Sequence, residues 1–284
     1  MVRDIDNKIL RRLEEWQQSE GHLPQFVELY KHLLGIQTEA KARISLPEPP
    51  LSQAKAIKRL NKGTPLLRWG TLFLDWALFK ELFQAAITAI AECYEAEAVD
   101  PGPLKGLASE ASRLREATKA WYNGQSLSQW AAPGPEEEVL AAAIHSAMAP
   151  FLTAQAEALS ELVDQERWRR SYCPICGGRP DFAYLEKEQG GRWLLCSRCD
   201  AQWLFQRLEC PYCGNLDQDT LAYFTDDEGM YRLHICEQCR SYLKVIDLRR
   251  TEEEILLPLE RLLTADMDRQ GQEKGYRPGW QQPP

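Results

Sequence analysis

Eight of the nine cysteines in this 284-residue chain stand in four CxxC pairs: Cys173/Cys176, Cys196/Cys199, Cys210/Cys213 and Cys236/Cys239. Two thiolates three positions apart can grip one metal ion from a tight turn. A second pair completes a tetrahedral four-sulfur shell, with metal–sulfur bonds of about 2.3 Å if the ion is zinc. Eight sulfurs therefore imply two metal ions, and soft thiolate shells of this kind accept either iron or zinc. Such closed shells leave no coordination position for a substrate. No serine elbow, phosphate-cradling glycine loop or metalloprotease-type histidine pair accompanies them, so no catalytic residue is assigned and the chain is not expected to be an enzyme.

The pairs repeat as a unit. Cys173-Pro-Ile-Cys-Gly is echoed by Cys210-Pro-Tyr-Cys-Gly, and Arg192-Trp-Leu-Leu-Cys-Ser-Arg-Cys by Arg232-Leu-His-Ile-Cys-Glu-Gln-Cys. A glycine after the second cysteine suits the left-handed backbone that closes a knuckle around metal. Between the knuckles of each copy lie two apolar runs split by a polar glycine turn. These are residues 182–185 with 193–195, and residues 221–225 with 230–235. Such runs mark hairpins. Each copy reads knuckle, hairpin, knuckle, the zinc-ribbon or rubredoxin-like arrangement. Sequential pairing, first knuckle with second and third with fourth, keeps each copy self-sufficient; interleaved pairing would discard that symmetry.

Other uses of the cysteines fit less well. The chain opens Met-Val-Arg-Asp-Ile-Asp-Asn-Lys without the apolar core of a signal peptide. An oxidising compartment and four disulfides are thus not indicated, and a cytoplasmic location is expected. Thioredoxin-like redox chemistry wants its CxxC at a helix N-terminus in a βαβ unit, whereas these pairs punctuate hairpins. Cys93 lies in an apolar helical run and reads as a buried inert thiol. His234, two residues before Cys236, could turn toward the metal face, but that site already has four sulfurs. His22, His32 and His145 read as ordinary core or surface histidines.

Charge separates the metal region from the rest. The net charge is −8, of which residues 1–166 carry −6; residues 167–250 hold 13 basic and 12 acidic side chains. Nucleic-acid binding rests on a basic surplus that neutralises phosphates, which this balance does not supply. Arg167, Arg169, Arg170, Arg207 and Arg249 read as scattered solvated side chains rather than one basic face. The most apolar stretch, Pro65 to Ala91, is interrupted by Arg68, Asp75, Lys80 and Glu81. It suits the central helix of a bundle better than a membrane span.

These features predict an α+β chain: an N-terminal all-helical domain (1–168), two tandem metal ribbons (169–206 and 207–250), and a short C-terminal helix with a tail (251–284). Ile5, Ile9, Leu13 and Trp16 form a helical stripe, and a second helix is expected from about Pro24 to Gln37. Pro47-Glu-Pro-Pro breaks the chain. Gly63-Thr-Pro-Leu-Leu is expected to open the long apolar helix, with Thr64 as cap and Pro65 at its first position. Asp100-Pro-Gly-Pro ends that helix, and another runs to about Tyr122. Pro133-Gly-Pro-Glu-Glu-Glu starts the last long helix, with Pro150 a kink. Thr251-Glu-Glu-Glu reads as a capping box before Leu256, and Gly279-Trp-Gln-Gln-Pro-Pro as a loose tail.

A helical domain followed by two CxxC ribbons resembles the formate dehydrogenase accessory protein family, the FdhE-type maturation factors. The likeness is carried by Gly63-Thr-Pro-Leu-Leu, Cys173-Pro-Ile-Cys-Gly-Gly-Arg-Pro, Leu195-Cys-Ser-Arg-Cys-Asp-Ala-Gln-Trp, Arg207-Leu-Glu-Cys-Pro-Tyr-Cys and Cys236-Glu-Gln-Cys-Arg-Ser-Tyr-Leu-Lys. Ala265-Asp266 and Glu273-Lys-Gly-Tyr276 are similar to the family's ending. Ala201-Gln202 and Arg277-Pro-Gly-Trp depart from its pattern without touching the ligands. The resemblance implies a cytoplasmic factor acting on the catalytic subunit of a molybdenum- or tungsten-dependent formate dehydrogenase, with rubredoxin-like sites linked to iron and a redox role. Trp203 and Tyr242 follow the last cysteine of each ribbon at similar offsets. They are expected either to pack under their own hairpins or, flanked by Arg207 and Lys244, to face that client.

Overall fold

The computed structural model describes residues 2–47, 51–93 and 100–281. The expected proline break falls partly outside them, at residues 48–50, and so does the end of the tail, residues 282–284. The chain forms two compact units. Of the described residues, 2–47, 69–93 and 100–155 make up the first, and 51–68 and 156–281 the second.

The first unit is helical: α1 (Val2–Glu20), α2 (Gln25–Arg43), α4 (Trp76–Ala91), α5 (Pro101–Leu107), α6 (Ala111–Tyr122) and α7 (Pro135–Ser160) as far as residue 155, while α3 (Gln53–Asn61) belongs to the second unit. Ile9, Leu13, Val27, Phe79, Phe83, Ile87, Leu104, Leu140, Ile144 and Phe151 are all buried. Each such side chain contributes about 1.5–3 kcal/mol.

The long apolar helix α4 does not start at Gly63. It starts at Trp76, where the Asp75 carboxylate accepts hydrogen bonds from Ala77 N (3.0 Å) and Leu78 N (3.2 Å). The expected start is overridden because Leu66 and Leu67 donate their backbone N–H groups to Pro174 and Ile175 (2.9 and 2.7 Å), which a helix would have claimed. Helix α4 ends at Ala91, before Asp100-Pro-Gly-Pro; Asp100 instead caps α5, accepting from Gly102 N at 2.8 Å, with Pro101 in the first turn.

Helix α7 carries Glu136, Glu137 and Glu138 in its first turn, where its dipole favours negative charge. Pro150 sits inside it and cannot donate to the carbonyl of Ser146. Gln37 of α2 supplies the missing donor, its Nε2 lying 2.9 Å from that oxygen. Among the described residues α7 is the one helix long and apolar enough to cross a membrane by length and composition, yet 67% of its apolar window is buried inside the fold. That burial is what a core helix shows.

The second unit is built on one sheet. Its strands are β1 (Pro180–Leu185), β2 (Arg192–Cys196), β3 (Gln202–Phe205), β4 (Leu221–Thr225), β5 (Tyr231–Cys236), β6 (Ser241–Asp247) and β7 (Arg277–Pro278), and helices α8 (Leu257–Leu263) and α9 (Ala265–Glu273) follow β6. The order is β3-β2-β1-β6-β5-β4, with β7 also on β6. Both expected hairpins are present, β1 with β2 and β4 with β5. Each gains a third antiparallel strand after its second knuckle, β3 and β6. The two copies then join through parallel pairing of β1 with β6, Phe182 opposite Lys244 through Leu185 opposite Asp247. Phe182, Leu195, Ile246 and Leu257 form one buried cluster drawn from both copies and α8. The fold is α+β.

Two C-terminal expectations change. Thr251 does not cap a helix; its hydroxyl accepts from Glu253 N at 3.1 Å, and α8 begins only at Leu257, with Pro258 in its first turn. The tail is not loose through residue 281. Arg277 and Pro278 pair with Ser241 and Tyr242 of β6, and residues 279–281 form a 3₁₀ turn.

Candidate metal centres

Each knuckle is a tight turn closed by the same backbone bonds. Gly177 N donates to Cys173 O (3.0 Å) and Gly214 N to Cys210 O (2.9 Å); Asp200 N and Arg240 N donate to Cys196 O and Cys236 O (3.3 and 2.8 Å). The residue after the second cysteine is left-handed in all four: Gly177 (φ +77°), Asp200 (+55°), Gly214 (+72°) and Arg240 (+55°). Side-chain residues rarely adopt this conformation. The side chains of both exceptions are anchored. Asp200 accepts from Arg261, and Arg240 lies over the Tyr276 ring, 4.1 Å from its centroid.

These turns gather the sulfurs into the two expected sets. Cys173, Cys176, Cys196 and Cys199 form one and Cys210, Cys213, Cys236 and Cys239 the other, with all sulfurs of a set within 4.8 Å of one another. Opposing sulfurs stand 3.6 Å (Cys173–Cys199) and 3.4 Å (Cys176–Cys196) apart in the first, and 3.7 Å in both pairs of the second. A tetrahedron with bonds of about 2.3 Å has edges of about 3.8 Å, so both sets fit a four-coordinate ion.

Backbone N–H groups point at the sulfurs, as a thiolate shell requires. Ile175 N, Gly178 N and Arg198 N lie 3.4 Å from the Sγ atoms of Cys173, Cys176 and Cys196, and Asn215 Nδ2 lies 3.5 Å from Cys236 Sγ. Burial pushes the Cys173 and Cys199 thiols up, whereas hydrogen bonds from Cys173 and its neighbours hold Cys176 well below the ordinary thiol value. A bound cation would supply the positive charge that four buried thiolates need.

The two centres differ in exposure. All four cysteines of the first are buried; in the second, Cys213 is exposed and Cys239 half-buried. The first is also covered by the segment after α3, through the Leu66 and Leu67 bonds and a bond from the Tyr172 hydroxyl to Gly63 O (2.7 Å). Sequence reasoning missed this cover because Gly63-Thr-Pro-Leu-Leu fits a helix start equally well. Arg192 was missed too. It is buried on β2 and donates to Gln206 O and to Glu209 O (2.5 Å), tying β2 to the turn that enters the second centre.

Of the four residues considered for a client, three lie inside the fold. Trp203 is fully buried, its indole donating to Arg170 O at 2.9 Å. Tyr242 is buried with Leu233, Ile235 and Tyr276, and its hydroxyl donates to Asp268 (2.9 Å). Lys244 is buried, donating to Asp268 (2.6 Å) and Arg261 O (2.8 Å). Arg207 is exposed. His234 is outside the sulfur set; its ring stacks on Tyr223 at 5.6 Å, and burial together with Arg192, Arg232 and Arg207 pushes its pKa down to about 3. Cys93 falls just past the end of α4, in a turn, and is half-buried rather than buried. Arg167, Arg169 and Arg249 pair with Asp164, Glu166 and Asp247 at 2.7–3.1 Å.

Residues 172–207, which contain the whole first centre, match the model of the FdhE central domain. An FdhE homolog of Aquifex aeolicus is 38% identical over 118 residues, 40% of this chain and 41% of that protein. An FdhE homolog of Haemophilus ducreyi is 30% identical over 147 residues, 50% of this chain and 46% of that one. The metal-binding region is thus similar to FdhE proteins. The chain spans under half the length of these curated relatives in the aligned regions. The crystal structure of the FdhE protein from Pseudomonas aeruginosa has the same fold, with a TM-score of 0.63 at 22% identity over 98% of this chain and 96% of that one. Both the helices and the fused sheet are therefore shared with a solved FdhE structure, beyond the stretch that the family model covers.

Proposed function

We propose that this protein is a cytoplasmic accessory factor for a molybdenum- or tungsten-dependent formate dehydrogenase. It binds the catalytic subunit during assembly or activation and carries two metal ions, iron or zinc. The single observation that supports this most is the pair of four-sulfur shells, held in a fold that matches an FdhE structure along nearly its whole length.

The chemistry of the shells narrows the role. Four cysteines around one ion exclude substrate from the coordination sphere, so the protein acts through its surfaces and not as a hydrolase. Iron in such a shell supplies one-electron chemistry, and zinc supplies rigidity alone. The N–H groups of Ile175, Gly178 and Arg198 stabilise negative charge on the first set of sulfurs, and such bonds tune reduction potential. In the second set, the exposed Cys213 gives a partner an approach that the first set lacks.

Deleting the gene tests the reading directly. Formate dehydrogenase activity should fall, and the tagged protein should co-purify with the catalytic subunit. Full activity in a deletion strain without a paralogue would refute it. Metal analysis with a visible spectrum of protein purified without oxygen separates iron, through thiolate charge-transfer bands, from colourless zinc.

A further inference from the structure

A cavity of about 280 Å³ opens beside the second centre, walled in part by Arg192, Arg207, Leu208, Tyr223, Arg232 and His234. Three guanidinium groups around one cavity form a strongly positive wall. The Arg232 guanidinium lies 5.2 Å from the Tyr223 ring centroid, and that ring stacks on His234.

The donors of this wall are only partly used. Arg192 spends its Nη2 on the carbonyls of Gln206 and Glu209, and Arg232 spends its Nη2 on Asp247 at 2.6 Å. Arg192 Nε, Arg232 Nε and His234 Nε2 are buried with no hydrogen-bond partner among the described residues. Leaving a buried polar group unpaired costs about 1–3 kcal/mol, and all three belong to residues that line one cavity. Four thiolates around a divalent ion leave two negative charges on the centre, and part of the positive field serves that. The unpaired Nε groups of Arg192 and Arg232, with the exposed Arg207, are the surplus.

The rim is apolar. Leu208 and Tyr223 are 56% and 54% exposed, and Phe224 and Leu216 add further exposed apolar surface. Tyr223 and Phe224 lie on β4, the outermost strand of the sheet, where an extended segment can add alongside. Glu209 also lines the cavity. It disfavours a doubly charged phosphate more than a single carboxylate.

We propose that this cavity binds a carboxylate carried on an extended, partly apolar peptide segment of a partner protein, with the segment lying along β4. The proposal rests on the accessory role only in that such a partner exists, and it names the contact.

Its test uses the full-length, zinc-loaded protein labelled with nitrogen-15. Three probes are titrated: a capped peptide alternating leucine and glutamate, its glutamine counterpart, and inorganic phosphate. Arginine Nε–Hε and histidine ring signals report the site. The glutamate peptide should shift the signals of Arg192, Arg232 and His234 saturably. The glutamine peptide should bind roughly ten-fold more weakly, a difference of about 1.4 kcal/mol. Arg207→Glu, on an exposed side chain, should weaken the glutamate peptide to a similar extent while leaving metal content unchanged. Equal binding of the glutamine peptide, equal shifts with phosphate alone, or no shift at all would each overturn the proposal. None of these outcomes bears on the gene-deletion phenotype, so the accessory role and this contact fail independently.

Discussion

Replacing Cys176 by serine should empty the first centre alone. The Cys176 sulfur lies 3.4 Å from Cys196 Sγ and accepts Gly178 N at 3.4 Å, so its loss opens the shell. The second set shares no cysteine with the first, and metal content should fall from two ions per chain to one. The cost follows from what the first knuckle forfeits when it frays. Ile175 is 1% exposed, and losing its burial costs about 2 kcal/mol. The two backbone bonds from Leu66 and Leu67 add roughly 1 kcal/mol each. A loss of about 4 kcal/mol lowers the melting temperature by roughly 8–16 °C for a unit of this size. The sheet should survive, since β1 keeps its parallel pairing with β6 and the Phe182, Leu195, Ile246 and Leu257 cluster. Native mass spectrometry counts the ions, and circular dichroism follows helix content and melting. Loss of both ions, retention of both, or a collapse of helix content would refute the reasoning.

Three further outcomes are expected. A chelator should strip the second centre before the first, because Cys213 is exposed whereas all four cysteines of the first are buried; release of both ions in one phase, followed by a colorimetric metal indicator, would contradict this. Asp247→Asn should cost on the order of 3 kcal/mol in denaturant titration at neutral pH, since the buried carboxylate pairs with both Arg232 and Arg249. The Arg249 hydrogen bond holds the Asp247 pKa below the usual carboxylate value. Its stabilisation is therefore present above the unfolded value near ~4 and lost as pH falls through the folded one, so the gap between wild type and variant should close in acid. Gly279→Ala should cost about 1–3 kcal/mol, because an added Cβ would sit 2.0 Å from the Tyr212 ring, and that ring's hydroxyl is bonded to Pro180 O at 3.0 Å; an unchanged melting curve would show that the tail does not bear on Tyr212.

The two four-sulfur sets were legible in the sequence because a CxxC turn is local. A CxxC turn brings two sulfurs together with no help from the rest of the chain, and the echo of Cys173-Pro-Ile-Cys-Gly in Cys210-Pro-Tyr-Cys-Gly pairs the turns in order. Hairpins joined by short glycine turns are local in the same sense, and so are the helical stripes. Tertiary structure decided what depends on distant partners. The parallel pairing of β1 with β6 joins segments far apart in the chain and carries no turn signal. Gly63-Thr-Pro-Leu-Leu has the composition of a helix start, yet the carbonyls of Pro174 and Ile175 outcompete the helix for its N–H groups. Trp203 and Tyr242 could have faced either way until β3 and β6 formed, and strand pairing turned both inward. The arginine-walled cavity is of the same kind. Arg192, Arg207 and Arg232 are scattered along the chain, and only the fused sheet brings their charges together, because a field adds in space and not in sequence.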